Sequence, residues 1–246
     1  MKIHQLHRWD VSPKEAFQLQ DKLRERIVLK NPFKSIHDIQ TVAGCDLSID
    51  NQRRIFFCGV IVYTFPALEE LERQVTEYPI TFPYVPGLLA FREGPALLEV
   101  LSRLRQDPDI LIFDGQGVAH PRRMGIASHL ALFLDKPCIG CAKSRLYGKY
   151  EEPGLKKGST SFLRGNQGEV IGRVLRTRDH VRPIFVSPGH RLDFDTSVEI
   201  VLHCLDKTRI PKPTREADLF VEAVKRSYYN EEKKDKRISG KRRVLC

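Results

Sequence analysis

The chain has 246 residues, of which 41% are hydrophobic and 29% charged, enough for one well-buried core and too apolar for a disordered or fibrous class. No apolar run reaches the roughly 18 residues of a membrane span. The N-terminal stretch also lacks a signal-peptide core, so a cytoplasmic protein with no membrane association is expected. The formal net charge is +10, which attracts polyanions, nucleic acid above all, although the same excess also serves solubility.

The first predicted element is a helix over 13–28. It opens on a capping box, Ser12 to Glu15, with Pro13 at its first position, and Phe17, Leu19, Leu23 and Ile27 follow helical spacing. Three strands follow: 41–49, then 54–63 (RIFFCGVIVY) after a turn at Asn51-Gln52, then 70–78. Their order suggests an antiparallel meander. A proline-bracketed loop, Phe82 to Gly87, leads to a helix marked by Leu97, Leu98, Leu101 and Leu104, with Gly94-Pro95 near its start.

The run 109–113 (DILIF) reads as a strand buried on both faces, broken by Asp114-Gly115-Gln116-Gly117. A helix over 124–135 and a strand over 137–142 complete a β-loop-α-β unit, which favours parallel pairing. Residues 148–168 are rich in Gly, Pro, Lys and Ser and read as an exposed excursion. Strands at 168–176 and 183–187 and helices at 195–206 and 214–228 follow. Residues 1–230 are expected to form one domain and 231–246 a flexible basic tail. The expected class is α/β, a mixed α+β sheet covered by helices, in the order of ribonuclease H-like folds.

Six cysteines lie at 45, 58, 138, 141, 204 and 246. Only Cys138 and Cys141 have CxxC spacing, and without a second ligand pair they read as part of a buried strand rather than a zinc site.

The candidate chemistry is carboxylate-based. Asp46 interrupts an apolar strand, where a carboxylate is costly unless something positive meets it. Asp114 closes a strand at the carboxyl end, where open α/β sheets place ligands. Two such acids on neighbouring strands can share a hard cation such as magnesium. Glu93, just before a predicted helix start, and Asp218, in the first turn of another, are further candidates, although each also suits an ordinary helix start. Lys143 follows the strand beside that of Asp114, as a phosphate contact or a solvated lysine. His120 is a phosphate donor or a loop histidine. Pro83-Tyr84-Val85-Pro86-Gly87 holds an aromatic residue in a stiff loop, suited to wedging into a base stack or to packing on the protein.

In order, the motifs are Ala43-Gly-Cys-Asp46, Pro83 to Gly87, Phe91-Arg-Glu93, Asp114 to Gly117, His120-Pro121, Gly125 to His129, Ala142-Lys143, Gly189-His190 and Arg209 through Asp218. Together they resemble the endonuclease V family over most of the chain. The resemblance implies a ribonuclease H-like fold. It also implies magnesium-dependent hydrolysis, with manganese able to substitute, of the second phosphodiester bond 3′ to hypoxanthine, leaving 3′-hydroxyl and 5′-phosphate ends. The implied partner is DNA containing deoxyinosine, with no obligate protein partner. The alternative is an inosine-specific endoribonuclease acting on single-stranded RNA.

In that reading Asp46, Asp114 and Glu93 look like the metal ligands, and Asp218 a further acid near the metal. Lys143 looks like the scissile-phosphate contact and His120 another polar contact. Pro83, Tyr84, Val85 and Pro86 look like the wedge, while Gly87, Leu89 and the Gly115 to Gly117 turn line a pocket for the flipped base. The sequence departs from the family pattern at Gln116, where Asn or His is common.

Overall fold

The computed structural model describes residues 1–242, with 231–242 given as backbone only. Its first helix, α1 (Pro13–Leu23), has the expected capping box: Ser12 accepts from the Glu15 N–H, and Glu15 accepts from the Ser12 N–H at 2.8 Å. The helix ends earlier than residue 28. The chain tightens into a 3-10 turn at Arg24–Arg26, and Ile27 is extended. The Val28 N–H then donates to His190 Nδ1 at 3.1 Å, so a tertiary bond takes the backbone out of the helix.

The meander is present as β1 (Thr41–Asp50), β2 (Ile55–Thr64) and β3 (Glu70–Pro79), paired antiparallel in sequence order. Next come α2 (Leu89–Ser102), β4 (Ile110–Phe113), α3 (Ile126–Leu134) and β5 (Cys138–Ala142). β4 is parallel to both β1 and β5, as the β-loop-α-β unit predicts. The chain continues through β6 (Thr160–Arg164), β7 (Val170–Leu175), β8 (Ile184–His190), α4 (Phe194–His203) and α5 (Lys212–Arg242). All eight strands form one mixed sheet, ordered β3-β2-β1-β4-β5-β8-β7-β6, in the ribonuclease H-like class expected.

Three further features differ from the sequence reading. Helix α2 begins at Leu89, so Glu93 lies within it and Pro95 sits in its interior. An interior proline removes one backbone bond; nine buried residues on this helix, from Ala90 to Leu101, supply packing that propensity does not. Helix α5 begins at Lys212, which places Asp218 in its second turn rather than its first. The excursion 148–168 contains the edge strand β6, whose single buried residue, Leu163, gave little apolar signal. The expected flexible tail, 231–246, lies outside the residues with described side chains, and 243–246 lie outside the described residues altogether.

The central strands are apolar on both faces. Ala43, Cys45, Leu111, Phe113 and Cys138 pack toward α2 and α3, and Val42, Ile110, Ile112, Ile139 and Cys141 pack into the core on the opposite face. The CxxC pair is therefore split between two cores, both thiols free and buried, as a strand with alternating side chains requires. Helix α5 lies close against β1 and β2 because both carry glycine there. A Cβ on Gly44 would stand 2.1 Å from the Pro213 carbonyl, and one on Gly59 would stand 2.6 Å from Val221.

Candidate active site

The parallel register sets Cys45 against Phe113. The next residues, Asp46 on β1 and Asp114 just past β4, are therefore neighbours. Asp46 lies two residues beyond Gly44, so its side chain shares the face on which α5 rests, and α5 brings Asp218 toward it. Lys143 follows β5, the other neighbour of β4, and its Nζ lies 2.6 Å from Asp114 Oδ2. Glu93 approaches from α2.

These groups feel one another. Burial pushes the Asp46 carboxyl up to about 7, and the charges of Asp114 and Asp218 add to the shift, against the Leu47 N–H and Lys143. Burial likewise pushes Glu93 up to about 8, with Asp46 and Asp114 adding repulsion and Arg92 opposing. Burial draws the Lys143 ammonium down, but Asp114 more than offsets this and leaves it raised.

Among the described residues, no three His, Cys, Asp or Glu side chains form a group that could hold a metal ion as they stand. The expected set of Asp46, Asp114 and Glu93 is thus adjacent without being closed around a point. Mutual repulsion and the pairing of Asp114 with Lys143 oppose a tighter cluster. The donor set still fits a hard divalent cation. It is all oxygen, and burial with neighbouring negative charge holds two of its members near protonation, a state that a cation would relieve.

This makes a stability prediction. Asp46 and Glu93 keep their protons when folded at pH values where the unfolded chain, with carboxyl values of about 3.9 and 4.3, has released them. Their contribution is therefore full below pH ~4 and is lost as pH rises through the folded values of about 7 and 8. In chelator, Tm is expected to fall by about 5–10 °C between pH 5 and 8.5, and millimolar magnesium at pH 8.5 is expected to restore it. Thermal denaturation with and without magnesium checks this; a magnesium-insensitive Tm at pH 8.5 would oppose a metal at these acids.

Beside the acids opens a cavity of about 400 Å³. It is lined by Tyr84 to Gly87, Leu89 and Ala90, by Asp114 to Gln116 and His120, by Met124 to Ile126 and by the 142–146 segment. Tyr84 stands at the rim, 70% exposed, with Leu146, 55% exposed, also lining the opening. The predicted wedge and pocket segments therefore meet at one cavity, with two departures. Pro83 does not line it. Gly117 faces away, since a Cβ there would lie 2.3 Å from the Pro188 carbonyl, so this glycine permits close packing on β8.

His120 is a buried, neutral ring. Burial lowers it to about 4, with the nearby Arg122 and Arg123 charges adding. Its Nδ1 accepts from the Arg122 N–H at 3.1 Å, and it also hydrogen-bonds the Gly87 backbone. Through these bonds His120 ties the proline-bracketed loop to the turn that carries it beside the cavity.

A family model described as Endonuclease V matches residues 21–219. The chain belongs to the endonuclease V family. It is therefore an endonuclease by kinship. The endonuclease V of Nostoc punctiforme is 45% identical over 91% of this chain and 100% of its own length, and that of Methanothrix thermoacetophila is 44% identical over 89% and 95%. Among solved structures, Bacillus subtilis endonuclease V superposes with a TM-score of 0.87 at 36% identity, covering 94% of this chain and 100% of that one. Ciona intestinalis endonuclease V, in complex with a 24mer DNA containing an inosine followed by a ribo-adenosine, gives 0.77 at 28% identity, covering 87% and 98%.

Two contacts of this endonuclease V site escaped the sequence reading. Gln20, fully buried on α1, donates to the Gly87 carbonyl at 2.9 Å and so also anchors the proline-bracketed loop. A polar residue between Ala16 and Leu23 on the buried stripe was the available signal. Gln116 donates to the Ser144 carbonyl at 3.1 Å, tying the glycine-rich turn to the loop that presents Lys143. Nothing local to Gln116 announces that partner.

Proposed function

We propose that this endonuclease V hydrolyses inosine-containing DNA with magnesium, at the second phosphodiester bond 3′ to the lesion. The observation that carries the reading is the adjacency of Asp46 to Asp114, which pairs with Lys143 and with it lines a cavity that Tyr84 also borders. The inosine-bearing DNA held by the Ciona relative supports the choice of substrate.

Asp46, Asp114 and Glu93 would hold the metal, with Asp218 nearby. When bound, the cation acidifies water and offsets charge developing on the phosphoryl oxygens. Lys143, half exposed beside Asp114, presents its ammonium to the scissile phosphate. The attacking water bonds to phosphorus as the bond from phosphorus to O3′ breaks, which leaves the 3′-hydroxyl and 5′-phosphate.

The cavity suits a base carrying a carbonyl. The first N–H groups of a helix lack intrahelical partners, and the N-termini of both α2, at Leu89 and Ala90, and α3, at Ile126, line it. Such N–H groups donate to hypoxanthine O6 and leave adenine's amino group facing another donor. The weak pairing of a deaminated base lowers the cost of extruding it.

Product mapping on a labelled duplex bearing one inosine, with magnesium and with chelator, tests the proposal. Cleavage in chelator, or equal cleavage of an adenine control, would refute it. Tyr84→Ala is expected to weaken binding of the inosine duplex by roughly 5- to 50-fold, leaving magnesium-induced stabilisation unchanged. Unaltered affinity in a binding titration would remove the wedge role.

The second reading is cleavage of inosine in single-stranded RNA. It is favoured by the ribonucleotide that follows inosine in the Ciona complex. Matched DNA and RNA strands, compared by kcat/KM, decide between them.

A further inference from the structure

Away from the acids, the outward face of the edge strand β6 presents Thr160, Phe162 and Arg164, while Leu163 turns inward. Phe162 is 44% exposed despite its size. Its cross-strand partner is Arg173, whose guanidinium lies 3.9 Å from the ring centroid, and that of Arg164 lies 4.9 Å away. Arg173 is also paired with Asp195.

On the other edge of β6, Lys149 and Arg164 face each other as an antiparallel pair. They exchange backbone bonds at 2.8 and 2.9 Å. Opposed residues of such a pair point to the same side, and like charges there repel. Neither makes an ion pair among the described residues; the Arg164 guanidinium donates to the Gly168 carbonyl. With Tyr150, Thr160 and Phe162 they line a shallow concavity of about 530 Å³, whose one acid is Glu151.

We infer that this face is a second nucleic-acid contact, which takes a single strand running past the active site by stacking a base on the Phe162 platform and placing phosphates at Lys149 and Arg164. Two facing cations without a carboxylate are relieved by an anion. An aromatic ring flanked by guanidinium groups is the combination that holds single strands without reading sequence. The site is continuous with the cavity: Arg145 lines that cavity and lies over Tyr150, which lines this concavity. The role of this face during cleavage rests on the function proposed above; its affinity for a plain strand does not.

The test therefore has two arms. The first measures binding of a labelled, unmodified oligothymidylate of about 20 nucleotides in chelator, by fluorescence anisotropy across a salt series. Phe162→Ala is expected to weaken it roughly tenfold. The double variant Lys149→Gln/Arg164→Gln, which alters only exposed side chains and so decides the matter should Phe162→Ala fail to fold, is expected to lower the salt slope by about 1 to 2. The second arm measures turnover of an inosine strand trimmed to the few nucleotides around the lesion, where both variants are expected to match the wild type. Wild-type affinity and slope in the variants would overturn the inference. So would full affinity accompanied by self-association, which would assign the cations to protection of a sheet edge. Absence of inosine cleavage by the wild type counts against the proposed function and leaves the binding arm to judge this face.

Discussion

Asp46→Asn is expected to lower cleavage of an inosine duplex by ~10³-fold or more, yet to leave the protein more stable at pH 8 in chelator than the wild type. The two effects have one origin. Asp46 is held near protonation by burial and by the charges of Asp114 and Asp218, so ionising it works against the fold. Asparagine removes that penalty together with the ligand. Asp114→Asn is expected to abolish cleavage as well without any gain in stability. It loses the ion pair with the half-exposed Lys143, worth at most about 1 kcal/mol at that exposure. Single-turnover cleavage and thermal denaturation on the same preparations check the pair. Wild-type activity in either variant would remove the assigned role, and a lower Tm for Asp46→Asn at pH 8 would contradict its electrostatics.

Gly44→Ala is expected to destabilise the protein by about 3 kcal/mol or more although it adds one methyl group. A Cβ there would fall 2.1 Å from the carbonyl carbon and oxygen of Pro213 and 2.6 Å from the Thr214 nitrogen. These are backbone atoms, which cannot rotate aside. Helix α5 must lift from β1 and carries Asp218 away from Asp46 as it moves. Denaturant unfolding reads the stability loss, and kcat falls with it at temperatures where the variant remains folded. Gly168→Ala is the contrast, since nothing lies within 4 Å of its Cβ and only its positive φ of +85° opposes the change. Equal stability of Gly44→Ala and wild type would mean that the helix does not rest on this notch.

Much of the site was legible because it is local. Asp46 stood out as a charge in an apolar strand, Asp114 as a charge after one, and Pro83 to Gly87 as a stiff loop carrying a ring. Each signal is carried by consecutive residues, so periodicity and turn chemistry expose it. Glu93 was found but misplaced, because Gly94-Pro95 looks like a helix start. Packing of Phe91, Leu97 and their neighbours holds the helix through its proline. β6 was hidden for the opposite reason: an edge strand needs to bury little, and this one buries Leu163 alone.

The sequence by itself determined most of the elements, the meander, the parallel unit and which acids are candidates, since these follow from side-chain alternation, capping and breakers within short windows. Only the tertiary structure decided which acids meet, that Lys143 pairs with Asp114 rather than with solvent, that His120 is a neutral fastener, and that Lys149 faces Arg164. Those outcomes depend on strand register and on burial, both of which arise when residues far apart in the chain share one sheet and exclude water between them.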